Sequence, residues 1–215
     1  QVFGLFPAVA RQVLRGDVRE AERAAVRRVH VPSLFQGQLT FDDRVVQGYD
    51  DKELDSVKVP ARALAVSRTA VEFTDAPAET PAFPVAARDG VLTSDTRQLR
   101  WREAHDDARG FFTLDTPGTQ AVVGFAEGQR QELGDVAIES QTPFAAIYLT
   151  AREPKGALRD AREILVVALA RSRNSGMRFS PAGDRLLAPG KAPILMEPVA
   201  ARIAPDGKLE RRALD

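Results

Sequence analysis

The sequence has no cysteine, two histidines and one tryptophan in 215 residues. Disulfides and thiolate metal ligands are therefore excluded. His30 and His105 are far apart, and neither sits in metal-ligand spacing. A calcium loop of the D-x-D-x-D-G kind is missing as well. No charge of one sign prevails, because 30 Lys and Arg balance 30 Asp and Glu. The chain thus has no global field to steer it to nucleic acid or an anionic membrane. No apolar run approaches the ~20 residues of a bilayer-spanning helix; the longest is Ile164–Ala170. The start lacks the charged, apolar and small-residue order of a signal peptide. There is no G-x-S-x-G elbow, since Ser175-Gly176 lacks the flanking glycine, and no Gly-rich phosphate loop. No cofactor is expected.

What is present is patterned. Phe6, Val9, Ala10, Val13 and Leu14 recur at three- and four-residue spacing, with Pro7 suited to a first turn and Gly16 to a stop. The spacing predicts a short helix over 6–15, followed by a strand near 24–31. Alternation around Leu39 and Phe41, and the apolar positions Val57, Val59, Leu64, Val66, Val71 and Phe73, predict short strands or extended arms over 31–90. Pro77, Pro81 and Pro84 favour an extended connector at 74–84. From Gly90 onward, short apolar segments alternate with Gly, Pro, Asn and Asp clusters roughly every 8–12 residues, the mark of a sandwich or barrel. The segment 162–172 is long enough for a helix, but its β-branched content and bounding turns favour a strand. The expected fold is all-β: an antiparallel β-sandwich with a short N-terminal helix, as one body or as two β subdomains divided near 74–90.

Candidate chemistry is sparse. In "DTPGT", Pro117-Gly118 is a strong turn pair, and Asp115 and Thr116 can bond to the turn backbone. Those roles account for the polar residues without catalysis. The acidic pairs Asp42-Asp43, Asp50-Asp51 and Asp106-Asp107 are adjacent. Glycoside cleavage needs two carboxylates some 5–10 Å apart, and neighbours on a strand point to opposite faces. Asp95 and Glu139 stand in strand-turn contexts that can face a groove. Trp101, between Arg100 and Arg102, is the one residue placed to stack on a sugar, although a lone Trp is also a common core or rim residue.

Four stretches together resemble the C-terminal β region of large bacterial glycoside hydrolases of the β-galactosidase-like and cellulase-like kinds. They are "LTSDTRQLRW" (92–101), "GFFTLDTPGTQAVVGF" (110–125), "PFAAIYLTA" (143–151) and "REILVVALARSRNSGM" (162–177). Arg97 replaces the glycine usual after "SDT", and Gly118 stands where a larger residue is common. The passage from Pro7-Ala8 to Gly16-Asp17-Val18 is similar to the exit from an (α/β)8 catalytic barrel. The resemblance implies that residues 1–30 lead out of a preceding catalytic domain that carries both carboxylates. It makes 31–90 a connector and 91–215 an accessory β-sandwich without a complete catalytic site. It implies a chain cut from a longer, exported protein, with the barrel as partner and an oligosaccharide or polysaccharide as ligand. Trp101, Arg100 and Asp95 are the residues expected to reach a sugar. Two other readings remain open: an independent carbohydrate-binding module, and a structural or oligomerising domain.

Overall fold

The computed structural model describes residues 3–36, 63–103, 109–181 and 185–205. The three acidic pairs, His105, Leu39, Phe41, Val57 and Val59 lie outside the described residues. The chain divides into two compact units, Gln1–Val18 with Asp106–Asp215, and Arg19–His105. Among the described residues, no helix is long and apolar enough to cross a membrane.

The N-terminal helix forms where its spacing predicts. Helix α1 spans Phe6–Arg15, with Pro7 in the first turn, where a missing N–H interrupts no helical bond. Gly16 ends it in the left-handed region at φ 64°, a conformation glycine adopts without Cβ strain. Asp17 N–H donates to Gln12 O at 3.2 Å across that end.

The Arg19–His105 unit is small. Strand β1 (Ala24–His30) pairs in parallel with β2 (Arg68–Thr74), Ala24 opposite Arg68 and His30 opposite Thr74. Among the described residues between them are two short helices, α2 (Val31–Phe35) and α3 (Ala63–Val66). The turn of helix at α3 differs from the extended reading of Leu64 and Val66. Ala63 and Ala65 are good helix formers, and Ala63 and Val66, three apart, fall on one buried face. Residues 75–87 carry no regular secondary structure, as their prolines demand. Phe83 from that stretch packs with Ala25 and Ala63 in a small core. A hairpin follows, β3 (Val91–Thr93) with β4 (Leu99–Arg102).

The other unit carries the sandwich. Strands β5 (Phe111–Asp115), β6 (Thr119–Gly124), β9 (Ala145–Ala151) and β10 (Ile164–Ala170) form an antiparallel array in the order β10-β9-β6-β5. All seven residues of β9 are buried, so both faces of this central strand are covered. A second sheet, in the order β15-β8-β7, consists of β7 (Arg130–Glu132), β8 (Val136–Ser140) and β15 (Ala201–Pro205). Phe111, Val122, Ile147 and Leu149 of the first sheet close a core with Val136 and Ile138 of the second, joined by Leu158. Two-sheet packing about a shared apolar layer is the sandwich expected from the turn spacing.

Beyond β10 the chain makes two-stranded ribbons. Strands β11 (Ser172–Ser175) and β14 (Lys191–Met196) form one, and β12 (Arg178–Phe179) and β13 (Leu186–Ala188) the other. Arg171 donates to both Glu197 oxygens, at 2.8 and 3.1 Å, closing one end of the first ribbon. That fork holds the Glu197 carboxyl below its usual range. Ile194, Leu195 and Met196 are all exposed although successive strand residues face opposite ways, so both faces of the ribbon are open.

Ile147 is fully buried at the centre of the sandwich. Ile147→Ala is expected to cost about 2–5 kcal/mol, read as a lowered urea midpoint with an unchanged slope.

Candidate functional site

The two threonines of the "DTPGT" hairpin close its turn and tie it to the residue just past α1, Asp17. Thr116 Oγ1 donates to Thr119 O (2.7 Å) and accepts from Thr119 N–H (2.9 Å). The turn is thus closed by a side chain in addition to the Thr116 N–H to Thr119 O bond at 3.0 Å. Thr119 Oγ1 donates to Asp17 Oδ2 at 2.6 Å and lies 2.8 Å from Thr150 Oγ1 on the neighbouring β9. Asp17 in turn accepts from Arg15 Nε at 3.0 Å, an ion pair whose side chains are only 4% and 8% exposed. Arg15 Nη2 donates to Gly156 O at 2.8 Å.

Gly118 makes this approach possible. A Cβ there would stand 2.3 Å from Arg15 Nη2 and 2.4 Å from Asp17 Oδ1. Gly118 is not among the positive-φ residues. What the position requires is space. The backbone of the same turn is also engaged: Pro117 O accepts from Leu158 N–H (2.7 Å) and Gly118 O from Ala151 N–H (2.9 Å).

A second network consumes Asp115 and Gln120. Asp115 Oδ1 accepts from Gly134 N–H at 3.0 Å. Gln120, 1% exposed, accepts through Oε1 from Asp135 N–H and Val136 N–H, each at 3.1 Å. Gln120 Nε2 is 3.4 Å from Asp135 Oδ2. Arg159 Nη2 stands 2.9 Å from the buried Asp135 Oδ1 as an ion pair outside hydrogen-bond geometry. Buried polar groups need such partners, and here they tie the β5–β6 hairpin to the start of β8. The turn is a structural joint.

Helix α1 lies against β9 and β10 with its polar face. Ala8 is buried, Arg11 donates to Ala151 O at 2.7 Å and to Arg152 O, and Arg15 enters the ion pair, all on one helical face. The apolar positions face out: Val9 is 44% exposed, Val13 75% and Leu14 86%. A surface helix ordinarily turns its apolar stripe to the core. This one is inverted, and periodicity alone carried no sign of that.

The three residues expected to reach a sugar sit on or beside the β3–β4 hairpin. Trp101 pairs with Leu92 and Arg100 with Thr93. Leu92 is buried and Trp101 half-buried, whereas Thr93 and Arg100 are exposed. Arg100 and Trp101 therefore project from opposite faces. Asp95, exposed in the connecting turn, accepts from Arg23 N–H at 3.1 Å. In the same turn, Arg97 has φ 60°, so the position where the resembled pattern has glycine is one that favours it. Sequence reasoning passed over Arg23, although it precedes β1 in a charged run. His30 is held by Ser33 Oγ (2.6 Å) and Asp75 O (3.0 Å). Among the described residues, no three His, Asp or Glu side chains gather as metal ligands.

No protein-family model, curated protein or solved structure matches this chain.

Asp17→Ala leaves the buried Arg15 guanidinium without its counter-ion. The expected cost is about 3–5 kcal/mol by urea denaturation, with faster proteolytic nicking between α1 and β1. At the β3–β4 turn, Arg97→Gly is expected to be neutral or stabilising by up to about 1 kcal/mol, whereas Arg97→Val should destabilise in the same assay.

Proposed function

We propose that this chain is the non-catalytic accessory β-sandwich of a glycoside hydrolase, packed on a preceding (α/β)8 catalytic barrel and contributing to carbohydrate binding. The observation that carries the reading is the inverted α1. Its arginines are committed to the sandwich, and Val9, Val13 and Leu14 are presented to something else. Burying side chains of this kind contributes about 1.5–3 kcal/mol each, enough for the helix to serve as a seam between two bodies. In this reading the barrel covers that stripe.

The resemblance supports the same assignment. Its stretches fall on the β3–β4 hairpin, the β5–β6 hairpin, β9, and β10 with β11, the elements that build the two units. The acids and hydroxyls that looked reactive in "DTPGT" are occupied in backbone and ion-pair bonds. A chain whose polar groups hold its own hairpins together suits an appendage better than a catalyst. An independent binding module would present an aromatic strip, and the one tryptophan is half-buried. The accessory role is therefore preferred.

Antibody raised against this chain tests the proposal in cells that make it. The expected antigen migrates well above 23.4 kDa, and its immunoprecipitate hydrolyses aryl glycosides. An antigen of the chain's own mass, with no glycosidase activity in the precipitate, would contradict the proposal.

A further inference from the structure

A cavity of about 230 Å³ opens within the Arg19–His105 unit. Its polar lining includes Asp95 from the β3–β4 turn, Thr93 at the end of β3, Ser67 after α3, and Arg23 ahead of β1. Phe83, Val85 and Leu92 supply apolar wall. Phe83 is fixed, being 9% exposed and packed in the small core. Its ring carries the Arg23 guanidinium carbon 4.8 Å from the centroid, a cation–π contact that orients the cation. The Arg23 backbone N–H donates to Asp95 Oδ2 at 3.1 Å, which joins β1's approach to the β3–β4 turn. Among the described residues, no carboxylate forms an ion pair with the Arg23 guanidinium. Its donors are available to a ligand.

The chemistry of this lining is selective. One carboxylate and one guanidinium in the same lining leave little net charge, so a fully ionised ligand meets one partner and one opponent. A hydroxyl donates and accepts, and neighbouring hydroxyls on one ring satisfy both groups together. The apolar wall suits the C–H edge of such a ring. The volume lies below the usual range of drug-sized pockets, which limits the occupant to about one ring.

We propose that this cavity is a sugar subsite that takes one pyranose ring, its hydroxyls donating to Asp95 and accepting from Arg23. The inference rests on the carbohydrate reading above and gives it a location. It also alters the expected site: Asp95 belongs, Arg23 joins it, and Trp101 and Arg100 are not among its lining residues.

The test is amide NMR of the full 215-residue chain, titrated with methyl β-galactopyranoside and methyl β-glucopyranoside into the tens of millimolar. Saturable shifts are expected at Ser67, Val85, Thr93 and Asp95 with at least one glycoside. Affinity should fall about tenfold or more in Asp95→Asn and in Arg23→Met. Asp95→Asn keeps an oxygen acceptor for the Arg23 N–H, and Arg23→Met keeps a long side chain beside Phe83. Dispersed spectra of either variant establish that the unit is folded. The proposal is overturned if neither glycoside gives saturable shifts at these residues, or if a folded variant binds as well as the parent. Saturable shifts centred on Trp101 instead would overturn this subsite while leaving the accessory reading in place. A 23.4 kDa antigen without glycosidase activity would remove the accessory reading even where the cavity binds sugar.

Discussion

The buried Arg15–Asp17 pair decides how the N-terminal segment lies on the sandwich. Withdrawing two such charges from water costs several kcal/mol per ion, and the surroundings offset part of that cost, although Arg15 Nη1 is buried without a hydrogen-bond partner. Thr119 donates to Asp17, Gly156 accepts from Arg15, and Gly118 leaves the room in which the pair can sit. With the C-terminal end of α1 pinned under the β5–β6 turn, Arg11 falls over the end of β9 and donates to Ala151 and Arg152. The polar face is then spent inward. The apolar face has no choice but to point out. One ion pair thereby links a turn motif, the orientation of a helix and the apolar surface left exposed.

The same economy accounts for the most chemically suggestive stretch of the sequence. Asp115, Thr116, Thr119 and Gln120 are an acid, two hydroxyls and an amide within six residues, the composition of a reactive centre. Each is used to satisfy a buried partner in the fold. The groups proposed to meet a sugar in the small unit have the opposite character. Asp95 and Arg23 are exposed, linked through one backbone bond, and set beside a ring that holds the cation in place.

The sequence was most legible where period and punctuation agreed. Helix α1 runs over the predicted 6–15 because Pro7 and Gly16 mark its ends. The segment 162–172 is a strand, as its β-branched residues indicate. Legibility failed where a feature depended on what lies across space. An amphipathic stripe announces that a face will be covered but not by what, so the inversion of α1 was invisible. Pro117-Gly118 marked a turn, but the need for space at Gly118 arises from Arg15, a hundred residues away in the chain. The turn of helix at Ala63–Val66 was hidden because four residues are too few to show a period. Arg23 was missed because a cation in a run of charges has no signature until a ring is placed beneath it.

The central claim is that the outward stripe of α1 is covered in the protein that cells make. Hydroxyl-radical footprinting, comparing that protein with the isolated 215-residue chain, measures it at Val13 and Leu14. The account predicts that both are oxidised readily in the isolated chain and strongly protected in the cellular protein, while exposed ribbon residues such as Met196 serve as a separate reference. Equal oxidation of Val13 and Leu14 in the two samples would contradict it, because the helix would then be inverted with nothing to meet.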